Sequence, residues 1–171
     1  MTVLGDRHKM FIHIYNEHKE IIALFSKKLI KESLQIKVFM LKSMSMNRHE
    51  IRRNLVISVY QHLVLKKPLG LTVCDNYLVE DANELDDYVL MVVEKISNNE
   101  EEFIKNISEH LKKWSFDRLN YVEQAILLVA KAEIELAVND RKVIINEAII
   151  LAKEYCDDES FKYINGVLDQ L

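Results

Sequence analysis

The stretch that decides the fold is residues 119–136, LNYVEQAILLVAKAEIEL. Apolar side chains recur there at spacings of three and four, the period that places them on one face of an α-helix. Leu127 and Leu128 widen this stripe until the helix is apolar over much of its surface. The pattern therefore predicts a long helix at the centre of a hydrophobic core.

The rest of the chain repeats the helical period with few breaks. Only three Gly and one Pro occur in 171 residues, whereas sheet-rich folds need turn residues every ~8–12 positions. We therefore predict an all-α bundle of about seven helices. The apolar-periodic segments are residues 11–30, 48–65, 88–93, 103–111, 119–136, 144–155 and 161–171.

Turn-forming and polar residues mark the boundaries between these segments. Predicted breaks fall at Pro68 with Gly70, at Asn98 with Asn99, and at Asn139 with Asp140. Proline and glycine interrupt a helix, and Asn-Asp pairs are typical of turns. Asp157 or Asp158 is expected to cap the last helix, because carboxylates accept the unpaired N–H groups of a helix start.

Composition limits the class of protein. A net charge of −4 with 49% hydrophobic residues indicates a folded domain without a general basic coat, so any RNA contact must be a local patch. Cys74 and Cys156 lie far apart without CxxC spacing, which favours reduced thiols over a disulfide. No apolar run approaches the ~18 residues of a membrane span, and we expect a cytoplasmic protein.

No pattern of catalytic or metal-binding residues stands out. His8, His13 and His18 are spaced by five, whereas helical metal pairs need spacings of about three or four. The acidic residues of 80–87 lack the glycine and the ligand spacing of a calcium loop. We therefore expect neither an enzyme nor a bound cofactor or metal.

Residues 1–45 differ in charge from residues 46–171. They contain eight Lys and Arg residues against four Asp and Glu residues. One interpretation is that translation really begins at Met44 or Met46. The other is a genuine basic, amphipathic N-terminal helical segment that packs on the bundle or engages a partner or membrane surface.

Residues 46–171 resemble a complete domain of the NusB family. At its front the family has an arginine-rich arm that runs into a helix, as residues 47–61 do. In its middle it has Trp-x-x-x-Arg-(Leu/Ile) and Val-(Glu/Asp)-(Arg/Lys)-Ala-(Ile/Val)-Leu, and near its end Asn-Glu-Ala and Phe-Val-Asn-Gly-Val-Leu. The matching positions here are 114–119, 122–127, 146–148 and 163–168. Trp114 is expected to anchor the core.

The resemblance implies a non-enzymatic transcription antitermination factor. NusB-like proteins bind a short single-stranded element called boxA in ribosomal RNA leader transcripts, together with the ribosomal protein NusE. The complex joins RNA polymerase and suppresses premature termination. We therefore expect this chain to bind boxA-type RNA and NusE within an RNA polymerase antitermination complex.

The resemblance also implies a set of RNA contacts. The candidate residues are Arg48, His49, Arg52, Arg53, Tyr60, Glu123, Glu159 and Tyr163. The basic side chains suit phosphate oxygens, although a solvated helix start is the alternative. The tyrosines could stack on unpaired bases or belong to the core. The two glutamates could accept hydrogen bonds from base amino groups or be ordinary surface acids.

Several positions depart from the family pattern. They are Glu50, Leu128, Ala132, Asp140 and Cys156. The carboxylate of Glu50 would repel phosphate, and Leu128 replaces an arginine that is common in relatives. Cys156 stands where a glycine usually supplies a left-handed helix end, so a different end is expected. Glu50, Leu128 and the net acidity of the chain favour an alternative function, a helical protein-interaction module of NusB fold that has lost specific RNA binding.

Overall fold

The computed structural model describes residues 46–77, 79, 81–111, 115–157 and 159–171. The predicted extension of residues 1–45 and the expected core anchor Trp114 lie outside this part. The described part forms six α-helices and two 3₁₀ turns, without a strand, which confirms the all-α class. The helices are α1 (Arg48–Leu65), α2 (Leu69–Tyr77), α3 (Asp87–His110), α4 (Tyr121–Leu136), α5 (Arg141–Tyr155) and α6 (Ser160–Leu168).

Helix α4 lies at the centre of the bundle, as its apolar pattern predicts. It packs against α1, α3, α5 and α6, and Leu127, Leu128 and Ala132 are excluded from solvent. Burying one leucine side chain stabilises a fold by about 1.5–3 kcal/mol. Leu128 is therefore a core residue of the bundle.

Helix α2 is an element that the sequence pattern missed. The predicted break at Pro68 with Gly70 does follow the end of α1 at Leu65, but a further helix, α2, begins there at Leu69. The carbonyl oxygen of Pro68 accepts the N–H groups of Leu71 and Thr72 at 3.0 and 3.3 Å. A proline is tolerated at a helix start because its missing N–H would have no partner there.

Helix α3 crosses the predicted stop at Asn98 and Asn99 as one kinked helix. Asn99 has non-helical angles of φ −131° and ψ 16°, and its side-chain amide donates to the carbonyl oxygen of Lys95 at 2.8 Å. A side chain that bonds the preceding turn competes with the backbone ladder and bends a helix. The predicted break is therefore a kink.

The ends of α5 and α6 answer two further expectations. The Asp140 carboxylate accepts the N–H of Lys142 at 2.8 Å, so this departure from the family supplies a helix cap. Cys156 ends α5 in an extended conformation with φ −119°, which differs from the left-handed end that a glycine would supply.

At the start of α6 the cap position is Glu159, and the backbone carbonyl oxygen of Asp157 accepts the Ser160 N–H. Asp157 thus contributes its backbone rather than a side-chain cap, and the alternative cap, Asp158, lies outside the described residues.

Candidate nucleic-acid interface

The basic arm begins at a capped helix start. The side-chain oxygen of Asn47 accepts the N–H of Glu50 at 2.9 Å, and the Glu50 carboxylate accepts the N–H of Asn47 at 3.1 Å. This reciprocal pair is a capping box, and an acid in the first turn also suits the helix dipole. Glu50 therefore has a structural role at the start of α1.

Arg52 lies inside the bundle with its guanidinium bound to two carboxylates. Its Nε and Nη2 atoms donate to the two carboxylate oxygens of Glu133 at 2.7 and 2.6 Å. Its Nη1 atom donates to Glu147 at 3.1 Å. Arg52 is 2% exposed and Glu133 is 0% exposed, so the pair is shielded from water.

Tyr88 completes this network from α3. Its hydroxyl donates to Glu133 Oε1 at 2.5 Å. Burial and the Glu133 charge raise the pKa of Tyr88. Burial alone would lower the pKa of Arg52, but the hydrogen bonds and charge of Glu133 outweigh it and raise that pKa. The arginine is therefore charged and the phenol protonated at neutral pH.

The network changes the predicted role of Arg52. Turning its guanidinium toward a phosphate would leave Glu133 as an uncompensated buried charge. Removing one partner of a buried ion pair typically costs about 3–5 kcal/mol. We therefore revise the predicted phosphate contact: Arg52 ties α1 to α4 and α5.

Arg48 and His49 lie closer to the surface at the start of α1. The guanidinium of Arg48 lies over the Tyr88 ring, 4.2 Å from its centroid, and 3.7 Å from the Asp86 carboxylate. The Arg48 side chain is 50% exposed. His49 Nδ1 lies 2.7 Å from Glu147 Oε2. Both side chains keep part of their surface accessible to a phosphate.

Arg53 faces the end of α5, where it meets Tyr155. The pKa of Tyr155 is raised by burial and by Glu154, while a hydrogen bond and the charge of Arg53 act in the opposite direction. Tyr155 is 44% exposed. Tyr155 is the last residue of the predicted apolar-periodic segment 144–155, and the structure places it at the surface. The guanidinium of Arg53 and the exposed Tyr155 are therefore neighbours.

The predicted contact Glu123 is buried at the junction of α4 and α6. Its Oε1 accepts the Ser160 hydroxyl at 2.5 Å, and its Oε2 accepts the N–H of Asn120 at 2.8 Å. Both carboxylate oxygens therefore have donors within the fold. We revise the predicted base contact of Glu123 to a structural bond between α4 and α6.

Tyr163 and Cys156 lie beside this carboxylate. Burial and Glu123 raise the pKa of Tyr163, yet its buried hydroxyl makes no hydrogen bond within the described part of the chain. Burial, followed by the charges of Glu123 and Asp157, raises the pKa of Cys156 to about 11. The Cys156 thiol therefore stays protonated at neutral pH.

The last two predicted residues are exposed. The Glu159 carboxylate accepts a hydrogen bond from the Lys162 ammonium at 2.6 Å, in an ion pair at the surface. Tyr60 lies on the outer face of α1 in a row with Ile57 and Val64, all exposed, because positions separated by three, four or seven share one helix face. Arg53 precedes this row by one turn.

The eight predicted residues thus divide into two groups. Arg52 and Glu123 are buried and engaged within the fold. Arg48, His49, Arg53, Tyr60, Glu159 and Tyr163 keep some exposed surface. We define the arm surface as Arg48, His49, Arg53 and Tyr155. Tyr155 is the member that sequence reasoning missed, because its helical spacing matched the core.

The described residues contain neither a metal-ligand cluster nor a helix suited to crossing a membrane. Within the described ranges, no group of three or more His, Cys, Asp or Glu side chains is arranged to hold a metal ion. The helices described also include none long and apolar enough to cross a membrane. Cys74 and Cys156 are both free thiols.

Known sequences match most of this chain. A family model described as the NusB family matches residues 49–171. A relative from Staphylococcus haemolyticus named Transcription antitermination protein NusB is 35% identical over 127 residues, covering 74% of this chain and 99% of the relative. A relative of the same name from Macrococcus caseolyticus is 32% identical over 126 residues, covering 74% and 96%.

Solved structures give the same result. A T. maritima NusB structure superposes with a TM-score of 0.64 at 26% identity, covering 74% of this chain and 91% of that one. A structure described as antitermination factors NusB and NusE in complex with dsRNA has a TM-score of 0.61 at 26% identity, covering 73% and 96%. From its sequence match and its helical architecture, the chain belongs to the NusB family.

Proposed function

We propose that this protein is a transcription antitermination factor that binds boxA-type single-stranded RNA of ribosomal RNA leader transcripts together with NusE. Membership of the NusB family supports the class of function, because the relatives described above are named Transcription antitermination protein NusB. A NusB structure that contains NusE and RNA supports the two partners. In this role the protein acts without catalysis, within the RNA polymerase complex in the cytoplasm.

The observation that carries the proposal is that Arg53 lies within hydrogen-bonding reach of Tyr155, a residue that is 44% exposed. Single-stranded RNA is usually held by cations on its phosphates and by aromatic side chains under its bases. The arm surface offers both, and Arg48 and His49 add positive or hydrogen-bonding groups. Because the whole chain is acidic at −4, this local arrangement matters more than net charge.

Further contacts belong to the same proposal. Tyr60 and the partly exposed ring of Tyr163 are proposed to stack on bases, and Glu159 to accept hydrogen bonds from base amino groups. Asp86, whose carboxylate faces Arg48 at 3.7 Å, would repel phosphate and weaken binding. The RNA site therefore contains opposing charges, and its affinity depends on salt.

A direct binding experiment tests the proposal. The full chain is titrated with a boxA-type RNA and with a scrambled RNA of the same length, with and without NusE, across a salt series. We expect preference for boxA, tighter binding with NusE, and weaker binding as salt rises because phosphate contacts release counterions. Arg53→Ala should weaken binding. The matched control is Lys105→Ala, which removes one exposed charge from α3.

A second candidate function rests on the outer face of α1. Ile57, Tyr60, Val64 and Leu65 are exposed there, and contiguous exposed apolar side chains often mark protein-binding surfaces. The alternative is a protein-interaction module that retains NusE but lacks specific RNA binding. Equal affinity for boxA and scrambled RNA, with intact NusE binding, would favour this alternative and contradict the first proposal.

A further inference from the structure

Tyr88 connects the buried network to the arm surface. Its hydroxyl is fixed by Glu133, which also holds Arg52. One face of the same ring carries the guanidinium of Arg48, with the Arg48 Cζ atom 4.2 Å from the ring centroid. Tyr88 itself is almost fully buried. The hydroxyl of this ring is therefore held by a buried carboxylate, while its face lies against a surface arginine.

The backbone around Tyr88 is also fixed. Asp86 caps α3 by accepting the Tyr88 N–H at 2.9 Å, and the same carboxylate lies 3.7 Å from Arg48. The cap determines where α3 begins, and the hydroxyl bond orients the ring. The position available to the Arg48 guanidinium is therefore defined by two independent contacts of Tyr88.

A stacked arginine remains able to bind phosphate. A cation over a ring within about 6 Å of its centroid is attracted by the electron-rich face. A guanidinium carries five N–H donors in its plane, so a guanidinium held over a ring still has donors to offer a phosphate. Half of the Arg48 side chain is exposed. An arginine held in this way loses less conformational freedom when it binds than a free one.

We propose that Tyr88 is a positioning residue that presents Arg48 to an RNA phosphate. The inference rests on the proposed RNA-binding function, and it adds a residue that does not touch RNA itself. The ring is the part that acts through Arg48, whereas the hydroxyl holds the ring. Removing the ring should therefore affect RNA binding, while removing only the hydroxyl should affect mainly stability.

The test compares two substitutions that differ in the ring. Tyr88→Phe keeps the ring and removes the hydroxyl, and Tyr88→Leu removes both. RNA binding by the full chain is measured for each, alone and combined with Arg48→Ala, after circular dichroism has shown a folded protein. We expect Tyr88→Leu to weaken binding about three- to tenfold, Tyr88→Phe to stay close to the wild type, and Tyr88→Leu to have no effect when Arg48 is already alanine.

A measurement on the wild-type protein gives a second, mutation-free test. The side-chain protons of Arg48 should show upfield NMR shifts from the Tyr88 ring, and Tyr88→Phe should preserve them. Ordinary Arg48 shifts would overturn the inference, even if the leucine variant failed to fold. So would additive losses in the double variant, or equal losses in the phenylalanine and leucine variants.

The wild-type titration separates this inference from the proposed function. If the wild type binds boxA-type RNA but Tyr88→Leu is unchanged, only the positioning role of Tyr88 fails. If the wild type shows no preference for boxA-type RNA, the proposed function fails and the positioning role fails with it.

Discussion

Two neighbouring arginines on α1 have opposite environments. Arg52 points inward and holds Glu133 and Glu147, whereas Arg53 points toward the exposed Tyr155. Consecutive residues differ by about 100° around a helix, so two neighbouring arginines can meet different surroundings. The inner face of α1 stabilises the bundle, and the outer face is available to a ligand. A basic cluster in the sequence is therefore not one functional unit.

The largest effect should come from the inner face. Arg52→Ala leaves Glu133 buried without its cation, and we expect the free energy of unfolding to fall by about 3–5 kcal/mol. Urea denaturation of the full chain measures this loss. Arg53→Ala is the matched control, and we expect it to change stability by less than about 0.5 kcal/mol. Equal losses for the two arginines would remove the distinction between the faces.

The next effect concerns Tyr155, which adds an aromatic ring to the arm surface. Tyr155→Ala should weaken boxA-type RNA binding by about 1–3 kcal/mol, or about 5- to 150-fold in Kd, the range for losing one stacked base. Tyr155→Phe keeps the ring and should bind nearly as the wild type does. Fluorescence anisotropy with a labelled RNA measures both. Loss of binding in the phenylalanine variant would argue against stacking.

The fold was largely predictable because it depends on local periodicity. The apolar spacing of residues 119–136 located the central helix, and the turn residues Asn139 and Asp140 located the start of α5. Helix α2 was missed because Pro68 starts a helix as readily as it ends one. The kink at Asn99 could not be told from a break without the bond to Lys95.

The site was less predictable because burial depends on distant residues. The carboxylates that hold Arg52 lie 81 and 95 positions further along the chain, so no local pattern separates Arg52 from Arg53. Glu123 has the same difficulty, since its donor Ser160 is 37 positions away. Tyr155 fitted an apolar stripe by spacing, and only the packing of α5 shows that this end of the stripe is exposed.

Arg53 itself should produce a smaller loss of RNA affinity. A charge-assisted hydrogen bond is worth about 1.5 kcal/mol, so Arg53→Ala should weaken binding about tenfold at low salt. The slope of log Kobs against log salt should also become shallower by about 0.7, the value for one phosphate of a single strand. Titrations at four salt concentrations measure both. An unchanged slope would mean that Arg53 contacts no phosphate.

The smallest effect should come from an ion pair outside both faces of α1. Lys95 and Lys131 lie 2.8 and 3.1 Å from the Glu135 carboxylate, whose side chain is 32% exposed. Burial would raise the pKa of Glu135, but the two lysines outweigh it and lower that pKa. Glu135→Gln should cost about 1 kcal/mol or less at pH 7 because water screens the pair.

The pH dependence of this pair has a definite sign. A lowered carboxyl pKa stabilises the fold above the unfolded value of about 4.3, and the contribution disappears as the pH falls through the lower folded value. The wild type should therefore lose its advantage over Glu135→Gln across the acidic range, as the pH falls from neutral through the unfolded value and then through the lower folded value. Urea titrations across this range measure the difference. A constant difference at every pH would mean that the lysines do not act through the Glu135 charge.

The most direct test of the two-face account is an NMR titration of the arginine Nε–H groups in the wild-type chain with boxA-type RNA. We predict that the Arg52 signal exchanges slowly with water and stays in place as RNA is added. We predict that the signals of Arg48 and Arg53 move in proportion to bound RNA. A fast-exchanging Arg52 signal that shifts with the RNA, while Arg53 stays unchanged, would contradict the account.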